Sequence, residues 1–483
     1  MFYQAKPIFP KGMECELNTL ASFRTVTGSL KGATLRLSAA TFYQLWINGK
    51  FVAFGPARTA GGYARVDVHS LDAYEAAENE ILILVESYYA RSLSTVKQPG
   101  FLVAEITRGD EVLAATGRDF EAFLPSCKIQ KTERYSCQRH FSEIWDYRDG
   151  KHLTMPEEKA EIAVQENGVQ WIDRVAPYPH YEDVFAKAAS ATGSLTVDES
   201  LPYHVDFYSN KMTRFWGSFD HEEHFFEPYR WVQQTVQNKK TDKTALPVTL
   251  GEMDYAMIDL GRIENGFVLL SLEASTDADL VIAFSEDCAP DKFAYTNMHV
   301  HNVIEFLLGA GTKKDVMTFE PYTMRYVLLA ARKGSFQVHS FGIKSFENAA
   351  SQLPVPDLGD KTLESIYRGA LRTEIAYAGC CHAVTQRFQQ HGWFSLCQLN
   401  EVAAEGIVVN RAGNVLTHVG KGCARGDAHI CHKTLGFGTF LCRHADVAGE
   451  FKSVDVDGIC FRSGRADAAA FHETLESTQV GDG

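Results

Sequence analysis

The sequence predicts a mainly β chain, with two β-sandwich (jelly-roll) modules followed by an incomplete α-helical region. Three observations carry that prediction. Short β-branched and aromatic runs, separated by turn residues, recur across 34–115 and again across 256–339. No apolar period of three and four residues interrupts them, as a helix packed on a sheet would require. Beyond Pro354 and Pro356 the pattern changes to that helical spacing. The boundaries read as a first sandwich over 1–125, a connecting excursion over 126–191, a second sandwich over 192–350, and a helical start with a poorly patterned tail over 351–483.

In the first module, Thr41-Phe-Tyr-Gln-Leu-Trp-Ile is a strand, Asn48-Gly49 is a strong short hairpin signal, and Phe51-Val-Ala-Phe is the return strand. Ile81-Leu-Ile-Leu-Val is a continuous apolar run and reads as a buried strand. Gly100 to Ile106 is a further strand, and Arg108-Gly109-Asp110 turns the chain into Glu111-Val-Leu. Short strands at this spacing describe a sandwich or jelly roll.

The excursion is charged and irregular, with an aromatic cluster at Phe141, Trp145 and Tyr147. In the second module the strand runs are Ala256 to Leu260, Gly266 to Leu272, Asp279 to Phe284, Tyr326 to Ala330 and Phe336 to His339. Asp360 is placed to cap a helix whose apolar positions Leu363, Ile366, Tyr367, Ala370, Leu371 and Ile375 share one face, predicted to be buried. Gly379 is placed to end it. Across 403–470 neither a heptad nor a strand repeat is legible.

The chain of 483 residues is 45% hydrophobic, enough for ordinary cores, and carries a formal charge of −14. A nucleic-acid partner would call for a basic face, so that class is not expected. Residues 1–20 lack the apolar segment of a secretory signal, and no apolar run reaches the roughly 18 residues of a membrane span. The expected location is the cytoplasm, with no membrane partner. The 11 cysteines include seven after residue 379, and an odd count with no signal segment points to free thiols. No cofactor is implied, and composition is silent on oligomeric state.

Three patches, in order, carry a family resemblance. Tyr43 to Asp67 reads YQLWINGKFVAFGPARTAGGYARVD; Ile258 to Val268 reads IDLGRIENGFV, with Ser285-Glu286 downstream; Phe319 to Val327 reads FEPYTMRYV. The set resembles bacterial α-L-rhamnosidases of glycoside hydrolase family 78. The first patch is similar to their N-terminal jelly roll, and the other two to strands of the sandwich before the catalytic barrel. The helix at 360–378 stands where that family begins its (α/α)6, six-hairpin barrel. The resemblance implies a hydrolase releasing terminal rhamnose from a glycoside with inversion, and so a rhamnose-containing carbohydrate as partner.

Inverting hydrolysis needs two carboxyl groups about 6.5–9.5 Å apart, one protonating the leaving oxygen and one activating water. The family takes its first acids from a "D-C-P-x-R-E-R-x-G-W-x-x-D" stretch. The corresponding stretch here is Cys381 to Cys397, CHAVTQRFQQHGWFSLC. With Gly392-Trp393 on the Gly-Trp pair, Val384, Gln389 and Leu396 fall on the acids, and no acidic residue occurs between Glu374 and Glu401. Glutamine hydrogen-bonds to sugars but exchanges no proton near neutrality. The resemblance therefore assigns Arg387, Gln389 and Trp393 to substrate binding and leaves the catalytic residues unknown. Six helical hairpins need some 300 residues, whereas 105 follow Ala378. The composition change at Gly379 matches what a shifted reading frame would produce; a divergent C-terminal region is the rival explanation. A non-catalytic carbohydrate-binding or scaffolding fragment is the alternative function, and an unrelated sandwich protein with a helical appendage a third.

Other candidates compete with plainer readings. Tyr43, Trp46 and Tyr63 suit a sugar-stacking platform, but sandwich core and loop packing is the favoured reading, since aromatics dominate cores. Gly55 to Gly62 with Arg58 resembles an anion-cradling loop, yet it follows a hairpin instead of opening a helix. Cys423, His429, Cys431, His432, Cys442 and His444 lack the paired knuckle of a structural zinc site, so no metal is expected. Asp259, Glu264 and Glu286 read as solvated or paired surface charges on a sandwich edge, Arg325 as an ion pair near Glu320, and His299 and His301 as one polar strand face.

Overall fold

The structure is a computed structural model that describes residues 2–92, 95–134, 140–151, 158–166, 168–201, 217–219, 227–241, 243–286, 302–348 and 357–378. It also describes the backbone of short strands at 288–289, 292–293, 296–297 and 300–301, and of two strands between 428 and 445. The described residues are mainly β, with one long helix, Lys361–Ala378.

The first module is a two-sheet sandwich. One sheet runs Ile162–Val164, Ile8–Pro10, Leu102–Arg108, Thr34–Ala39, Tyr63–Ser70, Gln170–Asp173, with Glu111–Ala115 added on Leu102–Arg108. The other runs Lys159–Ala160, Glu121–Phe123, Thr19–Thr27, Asn79–Ser87, Phe42–Ile47, Lys50–Gly55. The predicted hairpin is present: Asn48 and Gly49 both take positive φ (51° and 72°), and Ile47 pairs with Lys50 across them.

Side-chain alternation explains the unbroken apolar run at 81–85. Ile81, Ile83 and Val85 point into the sandwich with Tyr43, Leu45 and Ile47. Leu82 and Leu84 point the other way with Phe42, into a larger core that includes Phe267, Val268 and Phe319 of the second module. One sheet of the first module is thus buried on both faces, and its outer face is the seam between the modules. Phe54 anchors that seam, with ring centroids 5.3 Å from Phe267, 6.0 Å from Phe319 and 5.5 Å from Phe346. Each such ring, fully buried, contributes about 1.5–3 kcal/mol.

The second module is built on an eleven-stranded sheet ordered Ile144–Asp146, Val303–Leu308, Ala278–Ser285, Tyr322–Lys333, Asp254–Ala274, Ala191–Val197, Thr235–Thr241, with four more strands off that path. Here the two strands read at 256–260 and 266–272 are one 21-residue strand, Asp254–Ala274. The register shifts between Asp259 and Glu264, with Gly261 at φ +80°, so the glycine makes a bulge inside a continuous ladder, not a chain reversal. The first half pairs with Tyr322–Lys333 and Ala191–Val197, the second with Phe336–Ser345 and Lys313–Met317. Leu280, Ile282 and Phe284 face the large core, while Val281 and Ala283 face a smaller one shared with Tyr229 and Val232 of the short helix Glu227–Gln233.

The irregular stretch after residue 125 supplies strands to both modules. Ile144–Asp146 runs parallel to Val303–Leu308, Gln170–Asp173 runs parallel to Tyr63–Ser70, and Asp183–Phe185 pairs with Phe336–Ser345. At the helix, the Asp360 carboxylate accepts the backbone N–H groups of Thr362 (2.7 Å) and Leu363 (3.2 Å), the cap the sequence predicts. Its apolar face departs from expectation. Leu363 is 52% and Ile366 64% exposed, because the described neighbour of the helix is the two-residue strand Glu347–Asn348, too small to cover a helical face. In a separate unit of the chain, Ala428–Leu435 and Gly438–Ala445 form an antiparallel hairpin that the sequence did not suggest, with Cys431 opposite Cys442 and His429 opposite His444. No helix among the described residues is long and apolar enough to cross a membrane.

Candidate functional site

Among the described residues, several buried ionisable side chains collect in the seam. On the outer face of Phe42–Ile47, between Phe42 and Trp46, Gln44 donates from Nε2 to the carbonyls of Thr318 (3.0 Å) and Phe319 (2.8 Å). Trp46 Nε1 donates to Gln44 Oε1 at 3.1 Å and so holds the amide in place. Two residues past Leu84 on the same face comes Glu86, whose carboxylate meets Lys128 Nζ at 2.6 Å; Lys128 also donates to Asn18 Oδ1 at 3.1 Å. From the excursion, Glu143 accepts four hydrogen bonds: Phe319 N (2.8 Å), Glu320 N (2.9 Å), the Tyr322 hydroxyl (2.7 Å) and Trp145 Nε1 (2.9 Å). Glu320 accepts from the Tyr88 hydroxyl, and the Tyr88 ring stacks on His140 at 3.9 Å.

This cluster is sealed: Glu86, Glu143 and Glu320 are 0%, 2% and 4% exposed. Burial pushes the Glu86 carboxyl up to about 7 against the opposing pull of Lys128, with Glu143 and Glu320 adding repulsion. Burial raises Glu143 as well, even with its donors in place. The arrangement can hold a proton and lock two modules together. It cannot protonate a glycosidic oxygen, because no sugar reaches it.

A second buried cluster explains the Gly-Pro motif. Tyr43 on one sheet of the first sandwich donates to Asp67 on the other, and its hydroxyl lies 3.1 Å from His69 Nε2. Arg174 pairs with Asp67 at 3.2 Å and lies 4.5 Å from the centre of the Tyr178 ring. Burial lowers His69 to about 4 despite the nearby Asp67 carboxylate. A Cβ at Gly55 would strike Asp67 Oδ2 and lie 2.8 Å from the Tyr43 hydroxyl oxygen, so only glycine fits behind this pair. A third polar group lies at the bulge: Arg325 Nε bonds Asp259 Oδ1 at 2.9 Å, and Arg262 pairs with the buried Glu264. Although burial opposes it, the Arg325 contact and the Gly261 N–H hold Asp259 below the usual carboxylate range.

The residues singled out from sequence separate accordingly. Arg387, Gln389 and Trp393, the substrate-binding set, lie outside the described residues, as do Val384 and Leu396. Tyr43 is sandwich core, not a stacking platform, and Trp46 packs on Phe51 at 5.6 Å in the seam; Tyr63 remains at the surface, 39% exposed. Arg58 gives its carbonyl to Arg65 Nε at 2.7 Å within its loop. Asp259 and Glu264 are both ion-paired, but Glu264 is buried and not a surface charge, because the bulge turns it inward; Arg325 bonds Asp259 across the strand pair, while Glu320 turns into the seam. His299 and the side chain of His301 fall outside the described residues, as do Cys423 and the side chains of His429, Cys431, His432, Cys442 and His444. Sequence reasoning missed Glu86, Lys128 and Glu143. The available signal was an acid ending the apolar run 81–85 and another set between Phe141 and Trp145.

Among solved structures, the GH78 family rhamnosidase of Bacillus sp. GL1 superimposes with a TM-score of 0.60 at 14% identity, over 74% of this chain. This chain has a rhamnosidase-like fold. It spans 56% of the Bacillus enzyme, a little over half its length. The α-L-rhamnosidases of Dictyoglumus thermophilum (12% identity, 70% of this chain, 35% of that one) and of Streptomyces avermitilis in complex with L-rhamnose (14%, 67% and 29%) match at TM-scores of 0.41 and 0.40. The fold likeness rests on the first. No family model and no curated protein sequence matches the chain. The rhamnosidase-like fold comprises the β-rich modules described above, and sealed carboxylates are part of how they hold together.

Proposed function

We propose that this chain is an α-L-rhamnosidase-type glycoside hydrolase whose β-modules are the scaffold, with terminal rhamnose as the sugar released and inversion as its chemistry. The observation that carries the reading is the rhamnosidase-like fold, joined to the three ordered sequence patches that lie within it. In this reading the seam and the cap at Asp360 set the direction in which the chain enters its helical part. The acid and the base belong to that part, since Glu86, Glu143 and Glu320 are sealed and Asp259 and Glu264 are held by arginines. Arg387, Gln389 and Trp393 are assigned to sugar binding.

A second reading is a non-catalytic carbohydrate-binding or scaffolding protein. It is favoured by Val384, Gln389 and Leu396 standing where the resemblance calls for acids. One experiment separates the two: the full chain is incubated with an aryl α-L-rhamnoside while proton NMR follows the anomer first released. Appearance of β-rhamnose supports the hydrolase. Saturable binding without release supports the scaffold, and neither binding nor release sinks both.

A further inference from the structure

We propose that the hairpin Ala428–Leu435/Gly438–Ala445 is a metal site: its register brings His429, Cys431, Cys442 and His444 to one face, a ligand set for a zinc-type divalent ion. Along the chain these residues lack the paired knuckle of a structural zinc site. The pairing lies across the strands instead. Cys431 is the register partner of Cys442, and His429 of His444. Positions two apart on a strand share a face, so 429 and 431 fall together with their partners 444 and 442. His432, the register partner of Leu441, falls on the other face.

The dimensions of a paired ladder fit a tetrahedral ion. Directly opposite residues have Cβ atoms about 4.5–5.5 Å apart. Two thiolates on one ion stand about 3.8 Å apart, given the length of a Zn–S bond. A cross-strand cysteine pair therefore spans the ion without moving the backbone. The histidine pair lies one step along the same face, about 6.8 Å away by the rise of a strand. An imidazole reaches farther from its backbone than a thiolate does, so this second pair can close the set. A one-residue slip would break both pairings at once. The sequence guards against it locally, because the two residues between the strands are Gly436 and Phe437, and a leading glycine suits the tightest hairpin connection.

Charge closes as well. Two thiolates balance a divalent cation, and two neutral imidazoles complete the four ligands. Sulfur with imidazole nitrogen selects zinc over magnesium or calcium, which take oxygen. With all four places taken by protein the site is structural, and metal binding would add to the stability of a hairpin that two strands alone leave marginal. A Cys431–Cys442 disulfide is the competing chemistry, since the spacing of paired residues also suits an S–S bond. It would leave the neighbouring histidine pair without a role.

The test uses the full chain, reduced with a phosphine and stripped with a chelator, then titrated with zinc and separately with cobalt(II) as a visible reporter. One equivalent of zinc held against a competing chelator is expected, with tetrahedral d–d bands and a thiolate charge-transfer band in the cobalt form. Cys431→Ser or Cys442→Ser is expected to weaken zinc by more than about 100-fold, beyond the cost of losing an outer-shell partner. His429→Gln combined with His444→Gln is expected to weaken it to a similar degree. Cys423→Ser and Cys460→Ser, in the same unit of the chain but off the hairpin, are expected to change nothing. Cys431→Ser combined with His432→Cys keeps the thiol count but moves one thiol to the other face, and is expected to bind no better than Cys431→Ser alone. Failure of the parent chain to hold zinc, retention by a chain carrying both Cys431→Ser and Cys442→Ser, a Cys431–Cys442 disulfide forming in place of zinc uptake, or an equal loss in Cys423→Ser overturns the proposal.

Discussion

Glu143 offers the sharpest test of how the modules are joined. Glu143→Ala leaves four donors facing a void: Phe319 N, Glu320 N, the Tyr322 hydroxyl and Trp145 Nε1, at 2.7–2.9 Å from the lost oxygens. A buried donor left unmade costs about 1–3 kcal/mol. The Tyr322 hydroxyl can rotate towards another acceptor, and removing one negative charge eases Glu86 and Glu320. The two backbone N–H groups cannot turn away, and Trp145 is held by its ring in the core. About 4 kcal/mol of destabilisation results. Urea unfolding followed by tryptophan fluorescence reads it directly, since Trp145 and Trp46 both lie at the seam. Glu143→Gln keeps one acceptor and turns an amide towards two donors, so it falls between parent and alanine variant. A loss below about 1 kcal/mol for Glu143→Ala would refute the claim that this carboxylate joins the modules.

Three further outcomes follow from particular contacts. Gly55→Ala sets a methyl against the Tyr43–Asp67 pair, which neither sheet can yield, and is expected to lower stability by about 1–3 kcal/mol in denaturant titration. His69 is held neutral at about 4, so stability tied to it is present above about 6.5 and declines as pH falls through 4; His69→Phe is expected to flatten that decline in a pH series of thermal melts. Asp360→Ala removes the cap of Lys361–Ala378 and is expected to cost about 1 kcal/mol of helix stability, visible as loss of far-ultraviolet ellipticity.

Local chemistry made much of the fold legible. Asn48-Gly49 dictates its hairpin, Asp360 its cap, and the apolar run 81–85 a buried strand, because each depends on neighbours in sequence. What escaped depends on partners far along the chain. Whether Gly261 reverses the chain or bulges a strand is decided by Tyr322–Lys333 lying alongside, 60 residues away. Tyr43 and Trp46 are aromatics three residues apart on the same strand, yet one fills a sandwich and the other a seam, a distinction of face that sequence leaves symmetric until the second module is in place. Glu86 and Glu143 look like ordinary charges until burial makes them costly. The opposite failure is Leu363 and Ile366: their spacing demands a cover, and the described residues provide none.

The rhamnose assignment is tested most directly by isothermal titration of the full chain with p-nitrophenyl α-L-rhamnoside, α-L-fucoside and α-D-mannoside under identical conditions. Saturable heat with the rhamnoside alone is predicted. No heat with any of the three, or equal binding of all three, would contradict it.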